Sequence, residues 1–152
     1  MAFELEILKE LETLRQETDC NFVGIALQGK ANSEVQWKYA AGNRNEKYKK
    51  IAVRYGKGIA GKVISSGQPL MVMDFPHQIK GKSVDYPIML AEQLVTSFAV
   101  PLCADGAIKG VVLVGYRSNQ SISDKKQELV KNIVSAWEKQ FSSIFKGRRE
   151  SV

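Results

Sequence analysis

The chain has 152 residues, 44% apolar and 25% charged, which suits one globular domain with a core large enough to need no staples. The longest apolar run, Val111–Val114 inside Ile108–Tyr116, is too short to cross a bilayer, and the acid- and lysine-rich start MAFELEILKELETL is no secretory signal, so a cytoplasmic location is expected. The net charge of +6 attracts small anions and repels cations.

Leu5, Leu8 and Leu11, with Ile7 and Leu14, recur at helical spacing and predict a helix over residues 3–18. Glu4, Glu6, Glu10 and Glu12 suit the early end of its dipole. A strand, Phe22–Leu27, follows Asn21; Gln28–Glu34 reads as a hairpin connection to a partner strand, Val35–Ala41, which Gly42–Asn45 ends. Ile51–Tyr55 is a short apolar segment before Gly56-Lys57-Gly58. Ile59–Ser66 predicts a short helix stopped by Gly67. Pro69–Met73 predicts a strand, and Asp74–Ser83 an irregular polar loop. The next helix, Pro87–Gln93, has Asp85 as its candidate cap and Pro87 in its first turn. Thr96–Leu102 and Ala107–Arg117 are strands joined by Cys103-Ala104-Asp105-Gly106, where Asp-Gly signals a hairpin. The last helix runs from Ser123 to Phe145, with Leu129, Val130, Ile133, Trp137, Phe141 and Ile144 on one face. The fold class is therefore α/β (α+β): a central antiparallel sheet, terminal helices on one face, short helices and loops on the other. One domain is expected to span 1–147, and 148–152 to be a basic, disordered tail.

The segments G-x-G-I-A-G-x-V at Gly56–Val63 and S-G-Q-P-L at Ser66–Leu70 resemble the GAF family. The Ser97–Pro101 strand, the Asp105-Gly106 turn, the Gly110–Gly115 strand and the Ser123-Asp124 helix start fit the same pattern. The likeness covers nearly the whole chain and implies the fold, not the ligand. Trp37, Ile59-Ala60 and Tyr86-Pro87-Ile88 further resemble the site of free-standing GAF nitrate receptors of the NreA type. That resemblance implies nitrate as ligand, a sensor histidine kinase of a two-component system as partner, and no enzymatic activity.

The chemistry of these residues stands beside the resemblance. The first N–H groups of a helix lack intrahelical partners and sit at the positive end of its dipole. Two such starts, near Ile59-Ala60 and Tyr86–Ile88, would make an anion cradle without a charged side chain. Pro87 has no N–H and only shapes the turn, while Trp37 offers one indole N–H and a flat apolar wall. Ile59, Ala60, Ile88 and Met89 would keep the pocket small and dry, which suits a planar monoanion better than phosphate or sulfate. The same residues also read as plain core around a tight turn.

Other candidates carry less. His77 follows Pro76 in the polar loop without ligand partners at metal spacing. Asp74 and Asp85 read as turn and cap residues. Gly56–Gly61 has the G-x-G-x-x-G spacing but lacks the βαβ context of a dinucleotide site. Cys20 and Cys103 form no C-x-x-C and read as buried small hydrophobes. No metal and no cofactor are expected. The basic stretches Arg44–Lys62 and Lys146–Arg149 lack interleaved aromatics, so nucleic acid is not an expected partner. The apolar stripes of the terminal helices, with Leu5, Leu8, Trp137, Phe141 and Phe145, suit packing on the sheet or a homodimer through a helical bundle. Two other readings stay open: an enzyme akin to free methionine sulfoxide reductases, and a ligand-free interaction module.

Overall fold

The computed structural model describes residues 2–29 and 34–142. Its strands are β1 (Phe22–Gln28), β2 (Glu34–Ala41), β3 (Ala52–Arg54), β4 (Leu70–Val72), β5 (Thr96–Ala104) and β6 (Ala107–Tyr116). They form one antiparallel sheet in the order β3-β2-β1-β6-β5-β4. Four α-helices, α1 (Ala2–Thr18), α2 (Gly58–Ser66), α3 (Pro87–Glu92) and α4 (Asp124–Gln140), and two short 3-10 helices complete the described elements. The expected fold class is the one observed. β1 and β6, central and covered on both faces, are near-continuous apolar runs, whereas β2, nearer the edge, alternates.

Two cores flank the sheet. On one face Ile7, Leu11 and Leu14 of α1 meet Val130, Val134, Trp137 and the adjoining Phe141 of α4 over Val23, Ile25, Val112 and Val114. The Trp137 indole donates to Glu10 Oε1 at 3.3 Å and joins the two helices. On the other face α2, α3 and the polar loop enclose Phe22, Ala26, Val35, Trp37, Val111 and Leu113.

A bulge sorts β2 between these cores. Ile25 pairs with Tyr39 and Ala26 with Trp37, so Lys38 is the extra residue. Val35 and Trp37 thus face the α2–α3 layer, while Tyr39 and Ala41 face the terminal helices. Uninterrupted alternation would have put Trp37, Tyr39 and Ala41 on one face.

The structure corrects several boundaries. The β5–β6 strands run on through Cys103 and Ala104, so the turn is only Asp105-Gly106, both at positive φ, 55° and 74°. A short 3-10 helix, Glu46–Lys50, fills the stretch between the expected strand end at Gly42–Asn45 and the segment Ile51–Tyr55, where no element was expected; Asn45 caps it by accepting from the Lys47 N–H at 3.0 Å. Ser123 caps α4 as expected, accepting from the Lys126 N–H at 3.1 Å, but α4 ends at Gln140. Leu5 and Leu8 are not core: they are 65% and 39% exposed, and the buried stripe of α1 is Ile7, Leu11, Leu14 and Thr18. Ile144, Phe145, the basic tail and the tip of the β1–β2 connection lie outside the described residues.

Candidate functional site

Each segment of the candidate site owes its place to local chemistry. Trp37 is delivered to the α2–α3 face by the Lys38 bulge. Gly24 on the neighbouring strand leaves room for its ring: a Cβ there would lie 3.1 Å from Trp37 Cε3 and 2.9 Å from the Phe22 ring. Gly61 presses the first turn of α2 onto the preceding chain, where a Cβ would lie 2.1 Å from the Arg54 carbonyl oxygen. The Gly56 N–H donates to the Gly61 carbonyl at 2.9 Å and the Lys57 N–H to the Arg54 carbonyl at 2.8 Å, closing the turn. The glycine pattern is thus a close-packed turn into a helix, with no βαβ unit around it.

Trp37, Ile59, Ala60, Tyr86 and Ile88 all join one buried cluster, none more than 5% exposed. Pro87 is half-buried at its edge. Lys57, at the cap of α2, offers no side-chain bond, and the N–H groups of Gly58, Ile59 and Ala60 have no acceptor among the described residues. The Ile88 N–H is open in the same sense, and so is the indole N–H of Trp37.

Tyr86 differs from expectation. Its N–H donates to the Ser83 carbonyl at 2.9 Å, because a 3-10 turn, Ser83–Asp85, precedes α3. Its carbonyl accepts from Met89 and Leu90, so Tyr86 itself caps α3. Asp85 is not that cap: its carboxylate accepts from the Lys82 N–H at 3.0 Å and closes the 3-10 turn instead. What Tyr86 contributes is a ring. The hydroxyl donates to the Lys80 carbonyl at 2.9 Å, the ring tilts against Phe75 at 5.7 Å, and the Lys62 ammonium lies 5.0 Å from its centroid.

Two open grooves meet at Lys62, and the first also contains this ring. One is lined by Lys62, Leu70, Met71, Val72, Gln78, Ile79, Lys80 and Tyr86, the other by Arg54, Lys57, Gly58, Lys62, Asp85, Pro87 and their neighbours. Neither is lined by Trp37, Ile59, Ala60 or Ile88.

Sequence reasoning missed the ion pair that holds α3. Glu92 is fully buried, and its Oε1 accepts from Arg117 Nη2 at 2.6 Å and from the Arg44 N–H at 2.8 Å. Arg117 also donates through Nε to the Glu92 carbonyl at 2.8 Å and through Nη2 to the Gly42 carbonyl at 3.1 Å. Glu92 Oε2 has no partner among the described residues. The pair fastens the end of α3 to the end of β6 and to the turn after β2. Tyr48 packs nearby, and burial pushes its phenol upward, with Glu46 and Glu92 adding to the effect.

The remaining candidates fall elsewhere. Cys20 lies in the terminal-helix core, where burial pushes its thiol up and its Sγ lies 3.4 Å from the Phe22 carbonyl. Burial also raises the Cys103 thiol, with Glu138 adding; its N–H donates to Glu138 Oε2 at 2.8 Å. Both thiols are displaced from the reactive thiolate form. His77 is exposed beside Asp74 at 3.5 Å, and no group of three or more potential ligands could hold a metal ion among the described residues. No helix among them is long and apolar enough to cross a membrane.

A GAF domain family model matches residues 5–136. The chain belongs to the GAF domain family. Among solved structures similar to this GAF domain is the NreA protein of Staphylococcus aureus mutated in its nitrate binding site: TM-score 0.75, 29% identity, covering 81% of this chain and 91% of that one. A hypothetical S. aureus protein, SA1058, is 31% identical at TM-score 0.72, covering 78% of this chain and 98% of that one. The free methionine-R-sulfoxide reductase of Neisseria meningitidis, solved with its substrate, shares the fold at 19% identity and TM-score 0.73, covering 98% of this chain and 81% of that one. Comparison with curated proteins gives no significant match.

Proposed function

We propose that this GAF domain senses a small planar monoanion, nitrate first among them, and passes its occupancy to a sensor histidine kinase. The observation that carries the reading is that Trp37, Ile59, Ala60 and Ile88 share one apolar cluster while the Trp37 indole N–H and the backbone N–H groups of Ile59, Ala60 and Ile88 have no acceptor among the described residues. Such donors satisfy a weakly hydrated monoanion without a cationic side chain, and the dipole of α2 adds to them. The likeness to NreA, whose nitrate binding site was the target of mutation, supports nitrate over other anions. In this reading Tyr86 and Pro87 border the anion's approach, and Lys62, which lines both grooves, raises the local anion concentration.

Occupancy would tie the start of α2 to the start of α3 and fix the loop between β4 and α3. In this proposal the empty domain restrains kinase autophosphorylation and the filled one does not, as differential affinity for two states requires.

The test is calorimetric titration with nitrate, nitrite, chloride and free methionine sulfoxide. Nitrate is expected to bind and methionine sulfoxide to stay silent. Trp37→Phe keeps the apolar wall but removes the donor, and should weaken nitrate by about tenfold to a hundredfold, the worth of one hydrogen bond to a charged group. Unchanged affinity in that variant defeats the indole assignment. Kinase autophosphorylation that is equal with and without nitrate defeats the output assignment.

A further inference from the structure

The outer side of α3 faces away from the candidate site. Ile88 and Met89 are buried within, whereas Leu90 is 45% exposed and Val84, just before the helix, 69% exposed. With Ile51, Pro87 and Ala91 they line an open apolar groove of about 670 Å3, and Lys47 and Lys50 complete its lining. A second depression shares Val84 and Pro87 and continues past Arg54, Lys57 and Lys62. Its one carboxylate, Asp85, already accepts the Lys82 N–H. Lys47, Lys50, Arg54 and Lys57 form no ion pair among the described residues.

An exposed valine and leucine on a shallow apolar surface, bordered by lysines without ion-pair partners among the described residues, have the make-up of an interaction surface. We propose that this groove docks an acidic amphipathic helix of a partner protein, with apolar side chains seated on Val84 and Leu90 and flanking carboxylates on Lys47, Lys50 and Lys57. The open apolar surface suits apolar side chains laid on it, and the lysines, which outnumber the single carboxylate Asp85, favour an acidic partner. The docking stands whatever the interior binds. It deepens the proposed function by giving the same short helix a ligand side and a partner side.

The experiment uses the 152-residue protein and a fluorescein-labelled helical peptide with leucines at i, i+3, i+4 and i+7 and glutamates on its other positions. A control peptide carries lysine in place of glutamate. Fluorescence anisotropy should show the acidic peptide bound at least about tenfold more tightly, with the preference shrinking as salt rises. Leu90→Glu with Val84→Glu should abolish binding; Leu90→Ser, the milder variant, should weaken it with the circular dichroism unchanged. Lys47→Glu with Lys50→Glu should reverse the preference between peptides. Equal binding of the two peptides, or binding that survives the Leu90 and Val84 changes, overturns the proposal. So does retention on phosphatidylglycerol vesicles through these residues without peptide binding, or a dimer of the protein itself that Leu90→Glu dissolves and the peptide does not compete with. Nitrate titration of the same variants separates failure of the groove from failure of the anion site.

Discussion

The Glu92–Arg117 pair makes an asymmetric prediction. Glu92 is fully buried and Arg117 has 29% of its side chain exposed. Arg117→Met keeps the aliphatic stem and removes the charge, which strands a buried carboxylate; the expected loss is about 3–5 kcal/mol. Glu92→Gln removes the other charge but keeps an oxygen for the Arg44 N–H, and the part-exposed guanidinium can turn to water; the expected loss is about 1–2 kcal/mol. Adding Glu92→Gln to Arg117→Met removes the stranded charge. The double variant should therefore be more stable than Arg117→Met alone by at least about 1 kcal/mol, a second lesion that rescues the first. Urea unfolding followed by Trp fluorescence measures all four forms, provided the slopes agree. The reasoning fails if Glu92→Gln costs as much as Arg117→Met, or if the double variant is the least stable of the set.

Gly61 and Tyr116 make two further predictions. Gly61→Ala places a methyl 2.1 Å from the Arg54 carbonyl oxygen. The strain of overpacking should cost about 1–3 kcal/mol or more, and nitrate affinity should fall with it as α2 shifts; an unaltered urea midpoint would contradict the contact. Tyr116 is held by its bond to the Thr18 carbonyl at 2.7 Å, and burial first, then Cys20, pushes its phenol up to about 12. A folded pKa above the ordinary value of about 10 gives stability that is whole below pH ~10 and is lost as pH rises toward ~12. Tyr116→Phe should cost about 1 kcal/mol at neutral pH and flatten that alkaline decline; parallel pH curves for the two proteins would refute it.

Much of the fold was legible in the sequence because its signals are local. The helical spacing of Ile7, Leu11 and Leu14, the Asp105-Gly106 turn, the Ser123 cap and the Gly67 stop each act within a few residues, so the order of elements followed from reading along the chain. The open amides at the start of α2 were legible for the same reason, since a helix start declares them. What could not be read were relations between distant residues and the one insertion that sets facing. Nothing near Lys38 announces a bulge, yet the bulge decides which core Trp37 enters. The 3-10 turn before α3 engaged the Tyr86 amide and drew Asp85 away from the cap, because short turns compete for the same donors over one or two residues. Glu92 carried no local mark of burial, and its counter-charge lies 25 positions away in Arg117. The sequence by itself determined the elements and their chemistry. The tertiary structure alone decided which charges meet, which donors stay open and which apolar side chains remain outside, because those outcomes depend on packing between segments far apart in the chain.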